Sequence, residues 1–338
     1  MAKEKADAMD IFGLTVNQSR LLFSIEKYLV SKDIDKSKKD SDKKKEWLVK
    51  REKAILEYMN LEDEKIDSLY GIYDIHKQIA EEKSKTDNLT WYYLIIFEAA
   101  LFHAYSPIDK NVKEYKNLMY KDQIDDIKDM VIVEGLIDVS FVDEIKEKYD
   151  IAAKNISGNN KKAFAIVPAI ALTVAVAALC SAFAGPIAVM LVGSNFVGLS
   201  GAALTSASLA MLGGGALAAG GAGMAGGTGG IVGGGGLLGF ATGGTASVAG
   251  ITLLLSPEYA VSECAKIEVV ILEILNKVQN DKDAAFLVLK RFEDSIGALS
   301  EYMNDLNPKI KKEKTEIQKL KKSILYMKNT VEYIRKNI

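Results

Sequence analysis

The chain has 338 residues, with 43 Lys or Arg against 45 Asp or Glu and a formal net charge of −2. A balance this close to neutral supplies no global field to gather nucleic acid, and two cysteines, Cys180 and Cys264, cannot build a disulfide framework. The charge is segregated instead: residues 163–257 are 95 consecutive positions without Asp, Glu, Lys, Arg or His, and they hold 22 of the 27 glycines. Three parts follow: an N-terminal helical arm (1–160), an apolar glycine-rich insert (161–257) and a C-terminal helical arm (258–338).

The start, MAKEKADAMDIFG, alternates charges and lacks the apolar core of a secretory signal. Cytoplasmic synthesis without a signal peptide is therefore expected, with membrane association in the active form and secretion by a non-classical route compatible with it. In that setting Asn155-Ile156-Ser157 reads as a chance glycosylation match.

Helical spacing dominates the N-terminal arm. Leu14–Val30 is amphipathic, and Asp33–Lys45 is a polar, lysine-rich run expected to be a solvated connection or an exposed helix start. From Trp47 one long helix is expected to reach about Ala80, on a stripe of Leu48, Ile55, Met59, Ile66, Leu69 and Tyr73. His76 shares that stripe and reads as a structural or interface residue. Thr86-Asp87-Asn88 offers a cap for a helix from Leu89 to about Tyr105, apolar on almost every face around Trp91–Phe97. Glu98 and His103 are its ionisable groups, and a spacing of five does not align them as an acid–base pair. Ser106-Pro107 closes that helix, and another is expected over Asp109–Met130. Val131–Leu136 is a short apolar run compatible with a strand. Ser140–Asp143 resembles a capping box before a last helix toward Lys154.

The insert begins with 22 apolar residues, Ala163–Ala184. As a helix they span about 33 Å, enough for a hydrocarbon core of about 30 Å. Gly185-Pro186 breaks the run, and Ile187 onward returns. The first membrane hairpin is therefore placed at Phe164–Val192, with Phe164, Ile166, Val167, Ile170, Leu172, Val174, Val176, Leu179 and Phe183 on the outward leg and Ile187, Val189, Met190, Leu191 and Val192 on the return. Glycine costs ~1 kcal/mol per helix position relative to alanine in water, so its frequency needs a reason. Small residues four apart let helix backbones touch in lipid, and Gly215, Ala219, Gly223 and Gly227 have that spacing. Gly221–Gly226 also matches GxGxxG, but no strand leads into it and no acidic residue follows at ribose-binding distance. No nucleotide or other cofactor, and no metal, is expected.

The C-terminal arm reads as a long helix over Tyr259–Met303, broken near Asn280-Asp281, with a densely apolar stretch at Ile267–Leu275 suited to packing on the N-terminal arm. From Ile310 a heptad runs to the end, with its coiled-coil seam at Ile317, Leu320, Ile324, Met327, Val331 and Ile334. Residues 309–338 hold ten Lys or Arg against three Glu. That excess fits either attraction to anionic lipid or nucleic acid, or simply the solvated face of a coiled coil. Aromatic interleaving for base stacking is missing, and nucleic acid is not expected as a partner.

Long helices, an uncharged apolar segment, then long helices again resemble the α-helical pore-forming toxins, cytolysin A and the tripartite haemolysin BL type among them. The resemblance is one of architecture. It implies a hydrophobic tongue held against a helical bundle in a soluble form, which swings into a bilayer and assembles as a homo-oligomer or with partner subunits. This insert is longer and richer in glycine than such a tongue. Gly198–Gly236 also looks like the Gly/Ala-rich segments of interferon-inducible membrane proteins and, more loosely, of apolipoprotein L, which implies insertion from inside the cell.

The expected fold is thus all-α, an elongated bundle of long helices with a hydrophobic helical insert. The expected function is a membrane-inserting, pore-forming or membrane-disrupting effector whose partner is the lipid bilayer. The alternative is a membrane-anchored scaffold that recruits a partner through its coiled coil. An enzyme is not expected, because neither histidine has a metal-ligand or nucleophile partner in the sequence pattern.

Overall fold

The computed structural model describes residues 14, 16–37, 39–59, 66–105, 115, 117–158 and 257–338. Every regular element among them is helical. In chain order these are α1 (Val16–Lys36), α2 (Ser41–Met59), α3 (Ile72–Lys85), α4 (Thr90–Leu101), α5 (Gln123–Glu134), α6 (Ser140–Ser157), α7 (Pro257–Val269), a π-helical segment (Val270–Val278), α8 (Lys282–Asp305) and α9 (Lys311–Asn337).

Helix boundaries follow local chemistry. α5 stops at Gly135, whose φ of 62° is left-handed and whose N–H is taken by the carbonyl of Val131. The apolar run 131–136 is therefore mostly the last turn of a helix and not a strand. The expected capping box before α6 does not close: Asp138, two residues upstream, accepts from the Ser140 N–H at 2.8 Å instead. At the start of α4, Asn88 Oδ1 accepts from the Thr90 N–H at 2.7 Å. Pro257 opens α7, where its missing N–H costs nothing. The break at Asn280-Asp281 is present: Asn280 takes a φ of 51°, and Asp281 caps α8 by accepting from the Ala284 N–H.

The single long helix expected over Trp47–Ala80 is two helices. Between them residues 66–71 are non-helical, with Ile66 and Leu69 buried. Arg20 donates twice to the Ser68 carbonyl, at 3.1 and 2.6 Å, and its guanidinium lies 4.0 Å from the centre of the Tyr70 ring. The Tyr70 N–H donates to Ser24 Oγ at 2.9 Å. Tertiary hydrogen bonds thus replace the helical ones the backbone would otherwise make.

One buried cluster runs from Leu21, Ile25 and Leu29 on α1 through Ile95 and Phe97 on α4 to Ile267, Phe292, Leu320 and Ile334 in the C-terminal arm. The two arms therefore share a core, and α1 packs on α2, α3 and α4 while α7 packs on α6 and α9. A satellite cluster of Val30, Ile34, Trp47, Phe102, Tyr105 and Tyr115 closes the other side of α1. Beside it the polar run 33–45 is less solvated than its composition suggests. α1 extends through it to Lys36, and Lys44 is buried with its ammonium on Asp33. Nearby, Asp126 is buried under Lys32, Lys36 and the Tyr120 hydroxyl; burial alone would raise its carboxyl, but those donors outweigh it and hold the group below the ordinary range.

Candidate functional site: the root of the apolar insert

The insert is strung between α6 and α7. Two ion pairs and a hydrogen bond order α6 against α7 and the π segment: Glu144 faces Lys277 at 3.8 Å, Lys148 faces Glu273 at 3.6 Å, and the Tyr149 hydroxyl meets Ser262 Oγ at 2.8 Å. Partner numbers fall as α6 residue numbers rise, so α6 is antiparallel to α7 and the π segment that continues it. Gly158 and Pro257, the two ends of the insert, therefore lie toward the same end of this pair. Gly158 has a φ of 64°, which lets α6 end there.

α7 is the innermost helix of the body, and every residue from Ala260 to Val270 is buried. An all-round buried helix is normally apolar, yet this one carries Ser262, Glu263, Lys266 and Glu268. Lys266 Nζ donates to both oxygens of Glu98 on α4, at 3.0 and 2.8 Å, with Glu263 at 3.8 Å. Burial would push the lysine down, but the two carboxylates outweigh it and hold the ammonium above its ordinary value. The neighbouring buried pair Glu26–Arg51 joins α1 to α2 within electrostatic reach of Glu98 and Lys266. Charges from α1, α2, α4 and α7 are thus gathered in one interior.

Two further groups on α7 are shifted by burial. Glu268 is pushed up to about 7, with Glu273 adding to the effect. The Cys264 thiol is driven well above its ordinary range despite a hydrogen bond with Thr330 on α9, so it is a protonated core residue and not a nucleophile. The Tyr149 hydroxyl is pushed up to about 12 by the same burial.

Of the two histidines, His103 is within electrostatic reach of Lys266. His76 Nδ1 is bonded to Glu134, joining α3 to α5. His103 Nδ1 lies 2.8 Å from the Leu101 carbonyl, and burial lowers its basicity. Glu98 turns to Lys266. Among the described residues no group of three His, Cys, Asp or Glu could hold a metal ion. The arrangement is suited to holding helices together across the base of the insert.

Leu320, Ile324, Met327, Val331 and Ile334 of the expected seam are buried in the shared core, and Ile317 is half-buried. Their partners are α7 and α8 of the same chain. The densely apolar stretch 267–275 spans the end of α7 and the π segment, which does pack on α4 of the N-terminal arm. The membrane hairpin Phe164–Val192, the small-residue series Gly215, Ala219, Gly223 and Gly227, the GxGxxG match and the helix start expected at Asp109 lie outside the described residues. Among the described residues no helix is long and apolar enough to cross a membrane. Sequence reading passed over Lys266, Glu263 and Glu268, although charges three and five apart in a densely apolar helix were a visible signal. No family model, no curated protein and no solved structure matches this chain.

Proposed function

We propose that the chain is a membrane-inserting effector that converts from a soluble form to a membrane oligomer, with the arms as an elongated bundle and the insert as its membrane-active part. The observation that carries the reading is the position of the uncharged run. Its 95 residues lie in the chain between two helices whose facing ends are at one end of an antiparallel pair, and the described arms already cover one another's apolar faces. A tract of that length without an ionic side chain needs cover beyond its own surface in water, and a lipid bilayer supplies it at about 25 cal/mol per Å² of apolar area. The buried charges of α7 support the same reading, because they anchor the base of the insert in a fixed body.

Recruitment of a partner through the terminal heptad is less well supported, since the seam is occupied by the chain's own helices. The test is dye release from lipid vesicles. The full chain is expected to release dye, and Leu172→Arg with Val176→Arg is expected to abolish release, each charge costing about 3 kcal/mol at a bilayer centre. Equal release by the wild type and this variant, at unchanged helical content, would rule out the hairpin; no release by the folded wild type would rule out the function.

A further inference from the structure

We infer that the outward face of α9 is a docking surface for anionic lipid. The inference rests on the membrane reading above for its partner and adds the lipid class and the surface that meets it. The core side of α9 is taken by Leu320, Met327 and Ile334. On the remaining surface Lys311, Lys314, Lys321, Lys322, Lys328 and Lys336 are exposed. Among the described residues none of these lysines has an ion-pair partner, whereas Arg335 on the same helix is bound to Glu293 at 2.7 Å. Lys322 lies above the Tyr326 ring, 5.8 Å from its centre.

Positions 314, 321, 325, 328, 332 and 336 recur at intervals that place them on one helical face. Leu325 sits there 54% exposed, one turn from Lys321, Lys322 and Lys328, and Tyr333 is 45% exposed further along. Glu332 is the exposed acid of this helix. A row of unpaired ammonium groups around an exposed leucine and tyrosine fits a helix lying on a headgroup layer: the lysine stems follow the apolar side chains and the charges reach lipid phosphates. A chain with a net charge of −2 gains this attraction only through one local face.

Nucleic acid is the other polyanion. It is disfavoured by the near absence of arginine, whose planar fork suits phosphate and base edges better than a point charge. It is also disfavoured by the scarcity of stacking aromatics: Tyr326 is buried, and on this helix that leaves Tyr333 alone to stack.

The experiment is flotation of the full chain with phosphatidylcholine vesicles, with and without phosphatidylserine. The wild type should float with the anionic vesicles at low salt, release as salt shortens the Debye length to ~3 Å near 1 M, and stay behind with pure phosphatidylcholine. Lys321→Glu/Lys322→Glu/Lys328→Glu should weaken binding at least on the order of tenfold at an unchanged melting temperature. The neutralising glutamine version serves if that variant does not fold. Equal binding to both vesicle types, or unchanged binding by the folded variant, overturns the inference. So does tighter binding to a single-stranded polynucleotide at the same salt. Dye release by the charge-reversed variant, held on vesicles through a terminal histidine tag and a nickel-chelating lipid, reads the insertion step alone. Release there with lost flotation supports both proposals; salt-sensitive flotation of the wild type that the variant loses, with no dye release by either protein, overturns only the membrane-inserting function.

Discussion

Lys266 and Glu98 stand 168 residues apart in the chain and 2.8 Å apart in the fold. The bond closes over the whole insert and ties the C-terminal arm to the most apolar helix of the N-terminal arm. Lys266→Met leaves Glu263 buried and Glu98 half-buried without the ammonium that now faces them. Breaking a buried pair from one side costs ~3–5 kcal/mol, so the urea midpoint should fall steeply. Adding Glu98→Gln and Glu263→Gln removes the stranded charges and should restore most of the loss. A triple variant as unstable as the single one would show that the side chains act by shape and not by charge.

Glu268 gives the fold a pH dependence of opposite sign to that of a salt-bridged acid. Its carboxyl rises from an ordinary 4.5 to about 7 through burial, with Glu273 the charged group acting on it. The folded state therefore binds the proton more tightly than the unfolded chain. Stability from this site is full below 4.5, declines as pH rises, and is lost above about 7. Glu268→Gln should stabilise the protein at pH 8 by on the order of 2 kcal/mol and have little effect at acid pH. Denaturant unfolding across that range checks it; a constant difference between the two proteins would refute the assignment.

Gly135 ends α5 with a left-handed φ of 62°, and an added Cβ there meets nothing within 4 Å. The cost of a side chain is therefore backbone strain alone. Gly135→Ala should lower stability by ~1 kcal/mol, and Gly135→Asn by less, because asparagine tolerates that region. Thermal melts of the two variants decide it, and equal effects would mean that the turn relaxes.

The sequence was most legible where one physical rule acts alone. The turn at Asn280-Asp281, the terminal heptad and the limits of the uncharged run all follow from local composition. It was least legible where a distant group decides. Ile66 and Leu69 have helical spacing, yet Arg20 and Ser24, more than 40 positions upstream, hold their segment out of a helix. Lys44 lies in a run that reads as solvent-facing, yet Asp33 and the Met119 carbonyl draw its ammonium inside. Glu313 interrupts the heptad for a local reason: its carboxylate accepts from the Asn307 N–H at 2.6 Å and pins the turn into α9. In the interior the spacing of Glu263 and Lys266 was plain, but their partner Glu98 lies on another helix, and no periodicity connects the two.

The unequal setting of the two helices at the insert's ends has a mechanical consequence. α6 keeps a solvent-facing side, with Lys148, Ile151 and Lys154 exposed, whereas α7 is buried at every position from Ala260 onward. Tension on the insert would peel the first away like a surface layer and would have to draw the second out through the middle of the body. Under such a pull the N-terminal tether would yield first, and the C-terminal one would stay fixed.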